Sequence, residues 1–135
     1  MLRSVELKDY MLVHPVTVNE NADMGEAIRV IIDNKISGVC VVDDEGRLVG
    51  ILSELDCLRA ILSATYNEGG IGMVREYMAY DNLVVANPHE DITDVAQDML
   101  RKNKRRRPVV EDGKLVGQIT CRQLLTAVMG FSSQG

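Results

Sequence analysis

Apolar residues along the chain follow a rhythm that occurs twice. Met24, Ala27, Ile28, Ile31 and Ile32 stand at i, i+3, i+4, i+7 and i+8, and Ile92, Val95, Ala96, Met99 and Leu100 repeat that spacing 68 residues later. Each set is one stripe of an amphipathic helix. A short apolar run follows each stripe, Val39 to Val42 and then Val109-Val110. Next come the acidic and glycine turns Asp43-Asp44-Glu45-Gly46 and Glu111-Asp112-Gly113, and second runs at Leu48 to Leu52 and Leu115 to Ile119. Two runs joined by an Asp/Gly turn predict an antiparallel hairpin. A further helical stripe follows each hairpin: Leu55, Leu58, Ile61 and Leu62, then Leu124, Leu125, Val128 and Met129. Short opening strands are expected at Val16-Thr17-Val18 and Leu83-Val84-Val85.

The unit is therefore strand, helix, strand, strand, helix, in two copies. Tyr10-Met11 matches Tyr77-Met78, and Gly46-Arg47-Leu48-Val49-Gly50 matches Gly113-Lys114-Leu115-Val116-Gly117, both at an offset of 67. One unit alone has helices on one face of a three-stranded sheet and leaves the other face uncovered. The expected fold is α+β: two tandem β-α-β-β-α repeats packed sheet to sheet with pseudo-twofold symmetry, and with related clefts where small ligands are commonly held. The expected boundaries are 1–66 with a lead-in helix, a linker at 67–72 overlapping the flexible stretch Tyr66-Asn67-Glu68-Gly69-Gly70, 73–131, and a tail at 132–135.

With 135 residues, 46% apolar and 26% charged, the chain can bury a core without disulfides or metals. The charged start MLRSVELKDYM holds no signal-peptide stretch, and no apolar run approaches membrane-spanning length, so no membrane role is expected. Cys40, Cys57 and Cys121 show no CxxC spacing, which makes a reducing cytoplasm the expected location. Net charge is -5, yet RKNKRRR at 101–107 gathers six of the fifteen basic residues. Nine bases against twenty acids remain elsewhere, which suits a local anion site better than a general nucleic-acid surface.

The YM pairs, the stretch GVCVVDDEGRLVGILSELD at 38–56 and RPVVEDGKLVGQIT at 107–120 together resemble a tandem pair of cystathionine β-synthase (CBS) domains, the Bateman module, over about residues 4 to 130. The resemblance implies a regulatory module without catalysis of its own. Its ligand would be an adenine nucleotide or adenosyl compound, namely AMP, ADP, ATP or S-adenosylmethionine, with no cofactor required, and it would signal through the geometry of a homodimer to an effector protein. It also implies site residues. In Gly50-Ile51-Leu52-Ser53-Glu54-Leu55-Asp56, Ser53 would lie near phosphate and Asp56 on the ribose hydroxyls. Thr120 keeps the hydroxyl in the second copy, whereas Gln123 replaces the acid, so the two sites are not equivalent. The base would lie against Thr17, Val18, Gly38, Val39 and Cys40 in the first copy, and against Val85, Ala86, Arg107, Pro108 and Val109 in the second, while Arg105 and Arg106, just before the Pro-Val-Val strand, would reach phosphate in either of the two clefts.

Plainer readings stand beside these. Ser53-x-x-Asp56 and Thr120-x-x-Gln123 are also helix capping boxes. RKNKRRR also suits a solvated helix end whose cations complement the dipole. A ligand-free dimerisation or partner-binding scaffold is the alternative function, and nucleic-acid contact through 101–107 is a third. His14 and His89 are isolated loop residues without metal-ligand spacing, and no nucleophile has an adjacent base. Met24, Met99 and Met129 are expected in the core. Cys57 and Cys121 stand at helix starts, where a thiol pKa is expected to fall, but with no partner histidine they are read as structural.

Overall fold

The computed structural model describes residues 4–67 and 69–134, with 130–134 as backbone only. Among these, the order is β1 (Leu12–Val13), β2 (Thr17–Asn19), α1 (Met24–Asn34), β3 (Gly38–Val42), β4 (Leu48–Ser53), α2 (Glu54–Tyr66), α3 (Ile92–Lys102), β5 (Arg106–Glu111), β6 (Lys114–Thr120) and α4 (Cys121–Gln134). The expected lead-in helix is a single 3-10 turn at Leu7–Asp9, repeated at Val74–Glu76. Glu68 of the expected flexible connection and Gly135 of the expected tail lie outside the described residues, and α4 runs on through Gln134.

The chain forms two compact units, and they do not follow the repeat boundaries. One is continuous, Val16–Leu83, and the other is split, Met1–Pro15 with Val84–Gly135. Each lead-in segment has joined the hairpin of the other copy. In the continuous unit Val74 is fully buried, and its N–H donates to Ala22 O at 2.9 Å while the Arg75 N–H donates to Glu20 O at 3.0 Å. In the split unit Leu7 is fully buried, its N–H donates to Glu90 O at 3.0 Å, and the Lys8 N–H donates to Pro88 O at 2.8 Å.

The continuous unit holds a sheet of order β2-β3-β4, parallel then antiparallel, and Ala79 adds an antiparallel bridge to Ile51 on its far edge. Its core gathers Val18, Val39, Val41 and Leu52 from the sheet with Met24, Ala27 and Ile31 from α1 and Cys57 and Ala60 from α2. The split unit holds β1-β6-β5, all antiparallel. Its core joins Ala86, Val109 and Ile119 to Ile92, Val95 and Met99 of α3.

The expected strand at Leu83-Val84-Val85 does not form; Ala86 alone bridges Val109. Two prolines explain why. The Ala86 N–H donates to Pro108 O at 2.9 Å and Ala86 O accepts from Val110 N–H at 2.8 Å. One step back along a parallel ladder, Val84 O would need the N–H of Pro108; one step on, Pro88 would have to donate, and neither proline has an N–H. In the continuous unit the corresponding residues are Cys40 and Glu20, and the Glu20 N–H does donate to Val42 O at 3.0 Å.

Four apolar stripes are narrower than expected. Ile32 and Leu100, the last members of the α1 and α3 stripes, are exposed, because i+8 lies to one side of the buried line i, i+3, i+7. On α2, Leu55, Leu58, Ile61 and Leu62 are between 44% and 65% exposed. On α4, Leu125, Val128 and Met129 are exposed too, so Met129 is not a core residue. Cys57 and Ala60 face the sheet on α2 instead, while on α4 Leu124 of the expected stripe packs against the core.

Candidate functional site

In each unit the second hairpin strand runs straight into a helix, and the junction is built alike. The Glu54 N–H donates to Ser37 O at 3.0 Å, and the Cys121 N–H donates to Arg105 O at 3.0 Å. Cross-strand pairing sets Gly38 opposite Ser53, and Arg106 opposite Thr120. The hydroxyl residue thus ends the strand and caps the helix.

At the first junction the Asp56 N–H donates to Ser53 Oγ at 3.1 Å. Asp56 Oδ2 accepts from the Ser53 N–H at 2.8 Å and from the Ser53 hydroxyl at 2.9 Å. The other oxygen, Oδ1, accepts from Arg59 Nη2. Asp56 is buried, so an unpaired carboxylate there would be costly, and both its oxygens are engaged. At the second junction Gln123 reproduces the box: Oε1 accepts from the Thr120 N–H at 2.9 Å and from its hydroxyl at 3.3 Å, and the Gln123 N–H donates to Thr120 Oγ1 at 3.2 Å. The capping reading is therefore realised at both junctions, and any ligand contact would be made by residues that also hold the helix start.

The strand residues divide by face. Val18 and Val39 point into the core cluster, so they offer a ligand only main chain. Thr17 is exposed, and Cys40, its partner across the ladder, is buried outside that cluster. In the split unit Val85 is exposed and Pro108 buried, while Ala86 and Val109 are core.

Three of the six cations of the basic run gather on one carboxylate. Asp98, on α3, has Arg107 Nη2 and Lys102 Nζ each at 2.9 Å from Oδ2, and Arg101 Nη2 at 3.3 Å from Oδ1. The Lys102 hydrogen bond, with Arg107 beside it, holds the Asp98 carboxyl below the usual carboxylate range against the opposing effect of burial. Arg107 is buried, and its Nη2 meets Asp98 as a charge contact without a well-aligned hydrogen bond. A guanidinium committed in this way leaves the ligand site only its main chain. Lys104 and Arg105 are exposed, and Arg106 is half-buried beside Thr120.

The cysteines differ from expectation at one place. Cys57 stands in the first turn of α2, yet its thiol is pushed up, first by burial and then by the Asp56 and Glu54 carboxylates. Cys121 is exposed. His14 and His89 are exposed, as expected, and the His89 ring lies 3.5 Å from Glu6 and 3.6 Å from Glu111.

Comparison with known proteins meets this geometry at its most specific point, the doubled strand-to-helix junction. The CBS domain family model matches residues 7–63 and again 74–130. The chain belongs to the CBS domain family. Among solved CBS structures, CBSX2 in complex with AMP is similar at 27% identity and a TM-score of 0.83, covering 96% of this chain and 99% of that one. The CBS domain pair of protein MJ0100, in complex with 5′-methylthioadenosine and S-adenosyl-L-methionine, is similar at 27% identity and a TM-score of 0.74, covering 96% and 98%. Inosine-5′-monophosphate dehydrogenase of Aquifex aeolicus is 38% identical over 117 residues, 85% of this chain. The chain spans 23% of that enzyme's length, and 39% of another curated relative. No helix among the described residues is long and apolar enough to cross a membrane.

Proposed function

We propose that this CBS pair is a regulatory module that binds an adenine nucleotide or adenosyl compound, AMP, ADP, ATP or S-adenosylmethionine, and does no chemistry of its own. The observation that carries this reading is the first junction: a hydroxyl and a carboxylate, Ser53 and Asp56, at the start of a 13-residue helix beside the main chain of β3. A helix start favours phosphate, and a carboxylate can accept from two vicinal hydroxyls. Relatives of similar fold are complexes with AMP or with 5′-methylthioadenosine and S-adenosyl-L-methionine. Thr17, Val18, Gly38, Val39 and Cys40 would line the base at this site.

The second junction would be the weaker site, with Thr120 near phosphate, the neutral Gln123 at the ribose, and Val85, Ala86, Arg107 and Pro108 along the base; Arg105 and Arg106 would reach phosphate in one of the two sites. Its signal would pass through a homodimer, for which the exposed stripes of α2 and α4 supply apolar surface, to an effector protein. A cytoplasmic setting suits three free cysteines.

The test is calorimetric titration with each of the four ligands, with a thermal-shift series in parallel. Ligand at about 100 times its dissociation constant adds about 2.7 kcal/mol of stability. Saturable binding that Asp56→Asn weakens at least fivefold upholds the reading. A second reading, a partner-binding scaffold, is favoured by the internal satisfaction of Asp56 and by the exposed stripes. A dimer that no ligand stabilises would decide for it.

A further inference from the structure

The Asp56 carboxylate has little left to give a ligand. Both bonds from Ser53 land on Oδ2, so Oδ1 is the oxygen on which a ribose diol would have to rely. Arg59, one turn further along α2, lies on Oδ1. The Asp56 side chain is 9% exposed beneath it, whereas that of Arg59 is 63% exposed. The cover is thus the tip of a long side chain standing mostly in water, which can leave without disturbing the core.

The second copy lacks this device. The residue matching Arg59 at the repeat offset of 67 is Thr126, whose hydroxyl donates to Arg122 O at 2.8 Å on its own helix. Gln123 is half-buried and has no cation on its amide oxygen among the described residues. The copy that keeps the acid is the copy that covers it.

We propose that Arg59 is a latch on the first site, an intramolecular competitor that occupies the Asp56 acceptor until a diol-bearing ligand displaces it. The proposal rests on the adenosyl-binding reading above. A latch makes affinity at this site a difference between two partners of one carboxylate, and it raises the threshold concentration at which the module responds. It also discriminates: a ligand without both ribose hydroxyls gains too little from Oδ1 to displace a charged partner.

The experiment is titration of the full chain and of Arg59→Met with 5′-methylthioadenosine, an uncharged diol whose own electrostatics do not confuse the result. A partly exposed ion pair opposes its competitor by about two- to fivefold, so Arg59→Met is expected to bind more tightly by that factor. Raising NaCl from about 50 to about 500 mM screens the pair, so wild-type affinity should rise while that of Arg59→Met stays level. Arg59→Lys keeps a cation and should retain the salt response of the wild type. Wild-type binding with Arg59→Met equal or weaker overturns the latch and leaves the adenosyl reading intact. No saturable binding of 5′-methylthioadenosine, AMP or S-adenosylmethionine by any of the three proteins overturns both.

Discussion

Gly50 ends the Gly-Arg-Leu-Val-Gly element of the first copy, and the structure gives its lack of a side chain a mechanical reason. A Cβ there would meet Met78 Sδ at 2.5 Å, Met78 Cγ at 2.9 Å and the Ala79 carbonyl oxygen at 2.9 Å. The carbonyl is the decisive neighbour, because it accepts from the Ile51 N–H at 2.9 Å while the Ala79 N–H donates back to Ile51 O at 2.9 Å. A methionine can swing aside, but the carbonyl moves only by stretching these two bonds. Gly50→Ala should therefore cost about 2 kcal/mol, the middle of the range for overpacking, with weakened hydrogen bonds included. For a chain of this length that is a fall in Tm of about 8 °C. The assay is urea denaturation of Gly50→Ala, Met78→Ala and the double variant. Since Met78→Ala removes two of the three clashes, the double variant should be more stable than the sum of the singles by about 1 kcal/mol, and still short of full recovery because Ala79 O remains. A Gly50→Ala protein within about 0.5 kcal/mol of wild type would refute the docking of this segment on β4.

Gly117→Ala should fall in the same way, since its Cβ would meet Leu12 O at 2.7 Å and Met11 Sδ at 2.8 Å; guanidinium midpoints of the two variants should move together. Ser53→Ala should lose about 1 kcal/mol by removing the α2 cap, read from the same denaturation curves; an unchanged midpoint would show the cap to be idle. Asp98 has a folded pKa below its unfolded value, so its stabilisation is complete above the ordinary Asp range and is lost as pH falls through the folded pKa. Midpoints followed from pH 7 downward should therefore decline on the acid side, and Asp98→Asn should flatten that decline. Leu58→Glu places a charge in the exposed α2 stripe; if the proposed homodimer uses that stripe, light scattering should report a dimer for the wild type and a monomer for the variant, and a variant that stays dimeric would move the interface elsewhere. Ellman's reagent should modify Cys121 rapidly, with Cys40 and Cys57 slow until the protein unfolds.

The sequence by itself determined the elements and their repetition. Helical spacing, alternation and Asp/Gly turns are local properties, so the stripes at Met24 and Ile92 and both hairpins are where the pattern places them. The Ser53 and Thr120 capping boxes were legible as well, because such a box spans four consecutive residues and needs no tertiary partner. What lay beyond the sequence involves residues far apart along the chain or the choice of which apolar face to bury. The missing strand before Ala86 depends on the register that brings Pro108 beside it. The outward stripes of α2 and α4 are apolar, and only packing shows that Cys57 and Ala60 face the sheet on α2 and that on α4 Leu124 turns inward while Leu125, Val128 and Met129 do not. Asp98 engages the Arg107 guanidinium from 9 residues earlier in the chain, and the rise in the Cys57 pKa follows from burial that composition does not record. The matching of Leu7 with Val74 carries the same lesson at the largest scale. Repetition says that the two segments are equivalent, but only the tertiary structure decides that each is buried in the other copy's unit, since a lead-in of a few residues can reach either hairpin and packing chooses between them.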